Sequence, residues 1–290
     1  MEGKVDRSKH LTRRATFVAA AACLFAPAVH ARTRVFAFGS TPVFLDSDIR
    51  LTGQIEAYLT ARLARPVILV KRRTYMEITS LLIAGQLDAA WICGLPFVQH
   101  RQQLQLLAVP LYRGAPTYRS FVIARASDAI NDVAQLRDGI HAFSDPDSNS
   151  GHLVTLAWLA QLGETPSSYF SRFFFTYGHR NVIRAVSAGL AHSGSVDSYV
   201  WEVMGEVERE LVSATKVVRR SEEMGFPPIA ALRSIDPGVL GAVKTALLDM
   251  PKDPLGREIL ATLRLDGFSA EPPELFDSIA AMWQRVRREG

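Results

Sequence analysis

Ser148-Asn149-Ser150-Gly151 stands where a turn-forming stretch, Ser144 to Asp147, gives way to the apolar-periodic run HLVTLAWLAQLG. That is the pattern of a helix start. One polar cap satisfies such a start, and three in a row followed by glycine exceed the need. The first turn carries no carboxylate, although acidic side chains are favoured there. A helix start rich in hydroxyls and glycine, with N–H groups pointing outward, can seat an anion. Asp145 and Asp147 just before it either cap the turn or accept a proton from a partly protonated ligand.

Other residues could join this chemistry. His179, after the apolar run RFFFTYG, would donate best to an anion as a cation near its ordinary pKa. Asp197 could accept from a ligand OH or NH. Ser150, His179 and Asp197 together hold the ingredients of a hydrolase triad. However, no G-x-S-x-G turn is present and the order Ser–His–Asp does not match the common α/β-hydrolase order. No G-x-x-x-x-G-K-[ST] and no H-E-x-x-H occurs, so no cofactor and no metal are expected. Arg180 and Arg184, one turn apart, read as solvated or paired side chains rather than ligand contacts.

The elements that must position these residues begin after a leader. Residues 1–31 combine a basic start, an apolar run from Phe17 to Val29 and small residues at Val29 and Ala31, as in a secretory signal peptide. Arg13-Arg14 hints at the twin-arginine route, and Cys23 offers a weaker lipoprotein reading. Without this segment five basic and two acidic side chains leave, so the net charge falls from +4 to +1. No argument for nucleic-acid binding remains. Only Cys93 is left, so no internal disulfide can form. A free cysteine is commonly an inert buried thiol, and reactivity needs an exposed, low-pKa site. With 48% hydrophobic and 21% charged residues the chain is globular, and an exported, soluble monomer is expected.

The remaining pattern is α/β. TRVFAFGS is a strand, Asp48–Arg65 a helix with Ile49, Leu51, Ile55, Tyr58, Leu59 and Leu63 on one face, and PVILVKR a strand. Tyr75–Ala84 is a helix stopped at Gly85, followed by the strands DAAWICG and LQLLAVPLY. This β-α-β-α-β order predicts a mostly parallel sheet. The pattern then restarts with YRSFVIAR, a turn at Val133–Leu136, IHAFS, the helix after Ser148, RFFFTYG, a helix at Asn181–Ala188, a strand SVDSYVWE and TKVVRRS. After GFPPIAAL come helices at Pro237–Leu248, Leu255–Leu263 and Glu274–Arg288. Two α/β units with a return to the first imply two lobes and a cleft between them. The crossings fall near Arg113–Tyr118 and Ser221–Pro227, giving lobe 1 as 32–116 plus 222–290 and lobe 2 as 117–221. Ligands of such sheets bind beyond the carboxyl ends of strands. Those ends are Gly39–Pro42, Arg73–Tyr75, Cys93-Gly94, Ser144–Ser150, Tyr177–His179 and Asp197–Tyr199.

Taken together, DPDSNSGHL, GHRNVIRAVSAGLA, GSVDSYVWE and RSEEMGFPPIAAL resemble the PhnD-like periplasmic proteins, which bind phosphate, phosphite or phosphonates for ABC importers. FAFGSTP and LDAAWICGLPFV are similar too, so the resemblance spans nearly the whole chain after the leader. It implies a type II solute-binding fold that closes over its ligand and a membrane ABC permease as partner. It also implies oxyanion contacts from Ser148, Asn149 and Ser150, with His179, Asp197 and the aromatic Tyr75 completing the site. Aminophosphonate binders use further acids, and only Asp197 and Glu202 stand in suitable places here. Cys93 is similar in position to the cleft cysteine of the AioX-like arsenite sensors. That branch implies the alternative of a periplasmic sensor signalling to a membrane histidine kinase.

Overall fold

The computed structural model describes residues 34–41 and 49–289; the leader, with Arg13, Arg14 and Cys23, lies outside them. The chain enters as β1 (Phe36–Ser40), α1 (Ile49–Leu63), β2 (Val67–Lys71), α2 (Tyr75–Ile83) and β3 (Ala89–Trp91). Helix α1 buries Leu51, Tyr58 and Leu59. Ile49, expected on the same face, is 85% exposed, because it occupies the first helical position, ahead of the turn that reaches the core. Helix α2 opens on a capping box: Thr74 Oγ1 accepts from Glu77 N–H, and the Glu77 carboxylate accepts from Thr74 N–H. It ends before Gly85, whose φ of 69° suits a residue without Cβ.

A short helix that the sequence did not suggest, α3 (Gly94–Gln99), follows β3 directly, with Cys93 at its N-cap. Strand β4 (Leu104–Leu111) then leads to the first crossing, where β5 (Thr117–Tyr118) precedes β6 (Ser120–Arg125). A 3-10 turn at Val133–Leu136 and β7 (Ile140–Phe143) bring the chain to the polar helix start. That start is not a regular α-turn. Residues Asn149–Leu153 form a π-turn, and α4 (Val154–Gln161) continues from it. After α5 (Pro166–Tyr169) come β8 (Arg172–Phe175), α6 (His179–Ser187) and β9 (Ser193–Asp197). The expected strand SVDSYVWE stops at Asp197. The Asp197 carboxylate accepts from Val200 N–H, and that cap turns Ser198 onward into α7 (Ser198–Val207). Then α8 (Arg209–Ser213) and β10 (Thr215–Arg220) close the second unit. The chain returns through β11 (Met224–Gly225) to β12 (Ile229–Leu232), α9 (Pro237–Leu248), α10 (Pro254–Leu263), β13 (Gly267–Ser269) and α11 (Asp277–Glu289).

Two main sheets result, ordered β13-β4-β12-β3-β1-β2 and β10-β6-β9-β7-β8. Each belongs to one lobe of a two-lobed α/β fold. They are mixed rather than mostly parallel. β1 pairs parallel with β2 and β3, and β7 with β8 and β9, while β12 runs antiparallel to β3 and β4 and β6 antiparallel to β9 and β10. The cause is the crossing. A strand that leaves a lobe and the strand that returns to it point in opposite directions, so as neighbours they must pair antiparallel. The crossing segments also pair with each other: β5 lies antiparallel to β11, with Tyr118 opposite Met224. Helix α11 packs against both α3 and α4, one from each lobe.

In the second lobe α6 lies tight on β9. A Cβ on Gly194 would stand 2.4 Å from Val182 Cγ1 and 3.0 Å from the Ala142 carbonyl oxygen. Gly194→Ala is therefore expected to destabilise the protein by about 1–3 kcal/mol, the usual penalty for overpacking. Urea unfolding measures it, and an unchanged midpoint would contradict the packing described.

Candidate functional site

The seven residues proposed from the sequence as ligand contacts lie in one buried cluster at the ends of the two sheets. Ser148, Asn149 and Ser150 are all essentially inaccessible, as are Tyr75, Cys93, His179 and Asp197. They come from different elements. Tyr75 opens α2 and Cys93 caps α3 in the first lobe, while the π-turn, the start of α6 and the end of β9 belong to the second.

The helix start is held from within and across the cleft. Ser148 Oγ accepts from Gly151 N–H at 3.0 Å. Asn149 N–H, at the first turn where no carbonyl lies behind it, donates to Cys93 Sγ at 3.2 Å. Asn149 Nδ2 donates to Tyr118 Oη at 3.0 Å and lies 3.3 Å from Met224 Sδ. The same side chain therefore touches both crossing strands. The Tyr118 hydroxyl also interacts with the side chain of Ser150, and Ser120 Oγ donates to the Ser150 carbonyl at 2.6 Å. Asp145 joins the lobes again: its Oδ2 accepts from Tyr75 N–H and its Oδ1 from Asp147 N–H. Gly151 lies against this wall, where a Cβ would fall 1.8 Å from Ser144 Oγ. Only glycine fits there.

His179 differs from the cationic donor expected. Its Nδ1 accepts from Asp197 N–H at 3.2 Å, so the neutral ring carries its proton on Nε2. That nitrogen lies 3.2 Å from Tyr75 Oη. The ring therefore donates to Tyr75, which leaves the tyrosine hydroxyl proton free to point elsewhere. Burial alone pushes the His179 pKa down to about 3. Burial likewise pushes Asp197 up to about 7, offset in part by hydrogen bonds from Val200 N–H and Tyr199 N–H. Cys93 is pushed up to about 12, mainly by burial and against the pull of its hydrogen bonds from Asn149 and Leu95. It is a thiol here, not a thiolate. Asp145 is raised by burial as well.

Two consequences follow for chemistry. Among the described residues, no lysine or arginine figures among the groups acting on Tyr75, Cys93, Tyr118, His179 or Asp197. Arg180 and Arg184 are engaged elsewhere, with Glu208. And two buried polar atoms of the cluster, Ser144 Oγ and Asn149 Oδ1, have no hydrogen-bond partner. An unmet buried polar group costs about 1–3 kcal/mol, so the pair points to something the cluster is built to hold.

Sequence reasoning missed Tyr118 and Met224. Both sit in the crossing segments, and their types carry no signal of a site. Glu202, considered above as an acid for an amine, instead pairs with Arg113 and accepts from Tyr112 Oη, and its charge adds slightly to the upward push on Asp197.

The profile of the family described as ABC transporter, phosphonate, periplasmic substrate-binding protein matches residues 38–274. Among solved structures, a binding-protein component of an ABC phosphonate transporter from Pseudomonas aeruginosa superposes with a TM-score of 0.82 at 17% identity. It covers 89% of this chain and 88% of its own. PhnD1 from Prochlorococcus marinus, solved with methylphosphonate, gives a TM-score of 0.80 at 18% identity over 88% of this chain and 98% of its own. A histidine kinase sensor domain similar to periplasmic binding proteins gives 0.56 at 16% identity, covering 83% and 99%. At these identities the structural likeness speaks for the fold.

The buried titrations give a signed test. A histidine kept neutral contributes stability above its ordinary 6.5, lost as pH falls toward 3. A carboxyl kept protonated contributes stability below its ordinary 3.8, lost as pH rises through 7. From pH 6.5 down to 4, the stability of wild type relative to His179→Asn should therefore fall, and that relative to Asp197→Asn should rise. Each slope should be on the order of 1 kcal/mol per pH unit. Denaturant midpoints across pH measure both, and parallel profiles would contradict the burial-driven shifts.

Proposed function

Since this chain belongs to the phosphonate-type periplasmic substrate-binding proteins of ABC transporters and so serves an importer as its solute-binding component, we propose that its ligand is a small, singly protonated oxyanion of the phosphonate or phosphite type. The ligand sits at Ser148, Asn149 and Ser150, with Tyr75, His179 and Asp197 around it. The observation that carries this reading is the orphaned pair Ser144 Oγ and Asn149 Oδ1 in a buried, cation-free seat at a helix start. Hydroxyls and N–H groups there can donate to anionic oxygens, while Asn149 Oδ1 and the carboxylate lone pairs left over on Asp197 and Asp145 can accept from a ligand proton. A monoanion with one acidic OH offers both. Sulfate, which carries no proton at neutral pH, would set its oxygens against carboxyl groups.

The lobes, taken as 32–116 plus 222–290 and 117–221, swing about the paired crossing strands β5 and β11. Ligand bridging Tyr75 and Cys93 on one side and the helix start on the other shifts the population toward the closed form, which the permease reads. Non-enzymatic binding suits the site. His179 Nδ1 faces a backbone N–H rather than a carboxylate, so Ser150, His179 and Asp197 form no relay. A monomer exported to the periplasm, by the twin-arginine route if Arg13-Arg14 is its signal, completes the proposal.

One observation favours a second reading. Cys93 Sγ occupies the helix-start N–H of Asn149, so a thiol stands at the heart of the seat. A neutral trihydroxy species such as arsenite suits a cation-free cavity and a soft sulfur ligand, as a sensor for a membrane kinase would require. The raised thiol pKa opposes it.

Thermal shift of the mature chain separates these. Methylphosphonate or phosphite should raise Tm and sulfate should not. Ser150→Ala should lose about 10- to 100-fold in affinity, the worth of one hydrogen bond to a charged group. Stabilisation by arsenite alone, abolished by Cys93→Ser, would establish the second reading instead.

A further inference from the structure

Residues next to Tyr75 and His179 in the chain line a groove of about 900 Å³, walled by residues 71–74, Met76 and Glu77 of the first lobe and by Thr176, Tyr177 and Asn181 of the second. Its character is the reverse of the buried seat. Lys71, Arg72 and Arg73 line it in succession. Arg72 and Arg73 are exposed and make no ion pair among the described residues. Arg72 donates to the Lys71 carbonyl. The one acid on the described wall, Glu77, is held by the capping box with Thr74, and the Arg72 charge acts on it more weakly than those hydrogen bonds do. The facing wall carries Tyr177, 48% exposed. Its φ of 54° is a left-handed conformation that a tyrosine holds at a cost of about 1–3 kcal/mol. Such strain is concentrated where a ligand is clamped, and here it presents an aromatic ring opposite two guanidinium groups.

We infer that this groove is a second ligand subsite, for an anionic group on the tail of the molecule whose oxyanion head occupies the buried seat. The preferred ligand class is then bifunctional: a phosphonate carrying a carboxylate or second acid several bonds away. The inner seat recognises a protonated head through hydrogen bonds without a cation. The outer groove recognises the tail by charge, with Arg72 and Arg73 offering the planar forks that suit carboxylate and phosphate. The division has a physical reason. Cations beside a buried seat would need partners when it is empty, whereas cations at the mouth remain solvated until the ligand arrives. The inference rests on the proposed reading of the inner seat.

Calorimetry on the mature chain tests it with methylphosphonate, phosphonoacetate, 3-phosphonopropionate and 4-phosphonobutyrate. At least one ω-carboxylate should bind tenfold or more tighter than methylphosphonate, with an advantage that shrinks as salt rises. The double variant Arg72→Gln, Arg73→Gln should erase that advantage and leave methylphosphonate within about twofold of wild type. If methylphosphonate binds but no longer homologue gains, or the gain survives the double variant, the groove is not a subsite. If methylphosphonate itself fails to bind, the inner-seat reading falls and the inference falls with it.

Discussion

A helix start pinned between two lobes, where no described lysine or arginine acts on the buried groups, is the constraint on which the rest of this structure depends. Residues 148–151 cannot shed their polar groups, and among the described residues their surroundings offer hydroxyls, amides, carboxyls, a neutral imidazole, a thioether and one thiol. The protein meets the need locally. Ser148 closes on Gly151, Cys93 takes the Asn149 N–H, and Asn149 reaches both crossing strands through Tyr118 and Met224. What stays unmet is Ser144 Oγ and Asn149 Oδ1, the pair on which the proposed ligand seat rests. On the proposed reading electrostatics then narrows the choice, because ionised carboxylates repel a fully ionised guest and accept from one that keeps a proton, while a neutral imidazole adds no positive charge to offset them.

The same contacts couple occupancy to shape. Asn149 is tied to β5 and β11, the strands about which the lobes are connected, and Tyr75 meets both Asp145 and His179 across the cleft. A ligand that shifts either group acts on the crossing directly, with no long chain of intermediates. Helix α11 rests on α3 and α4 together, so it touches both lobes as well.

Much of this was legible in the sequence because residue types announce local geometry. The run SNSG marked a helix start, Gly85 a helix end, and the alternation of apolar runs the β-α-β order. The proposed crossings near Arg113–Tyr118 and Ser221–Pro227 read as breaks between repeated units. Other features have no local signature. Strand direction is set by where the chain comes from, so β12 and β6 read like the parallel strands they are not. The π-turn at Asn149–Leu153 differs from an α-turn only by one hydrogen-bond step. In SVDSYVWE, β-branched and aromatic residues suggested a strand throughout, but the Asp197 cap overrode them. The charge state of His179 depends on its burial, which no single-residue pattern records.

The most direct test of the central claim is the number of protons taken up on binding. Calorimetry with methylphosphonate near pH 8.5, in two buffers of different ionisation enthalpy, measures it. With Asp197 titrating at about 7 in the empty seat, both ligand and seat begin largely ionised there. A cation-free seat that accepts a protonated oxyanion predicts uptake approaching one proton per ligand. Tight binding with no proton uptake would contradict the account.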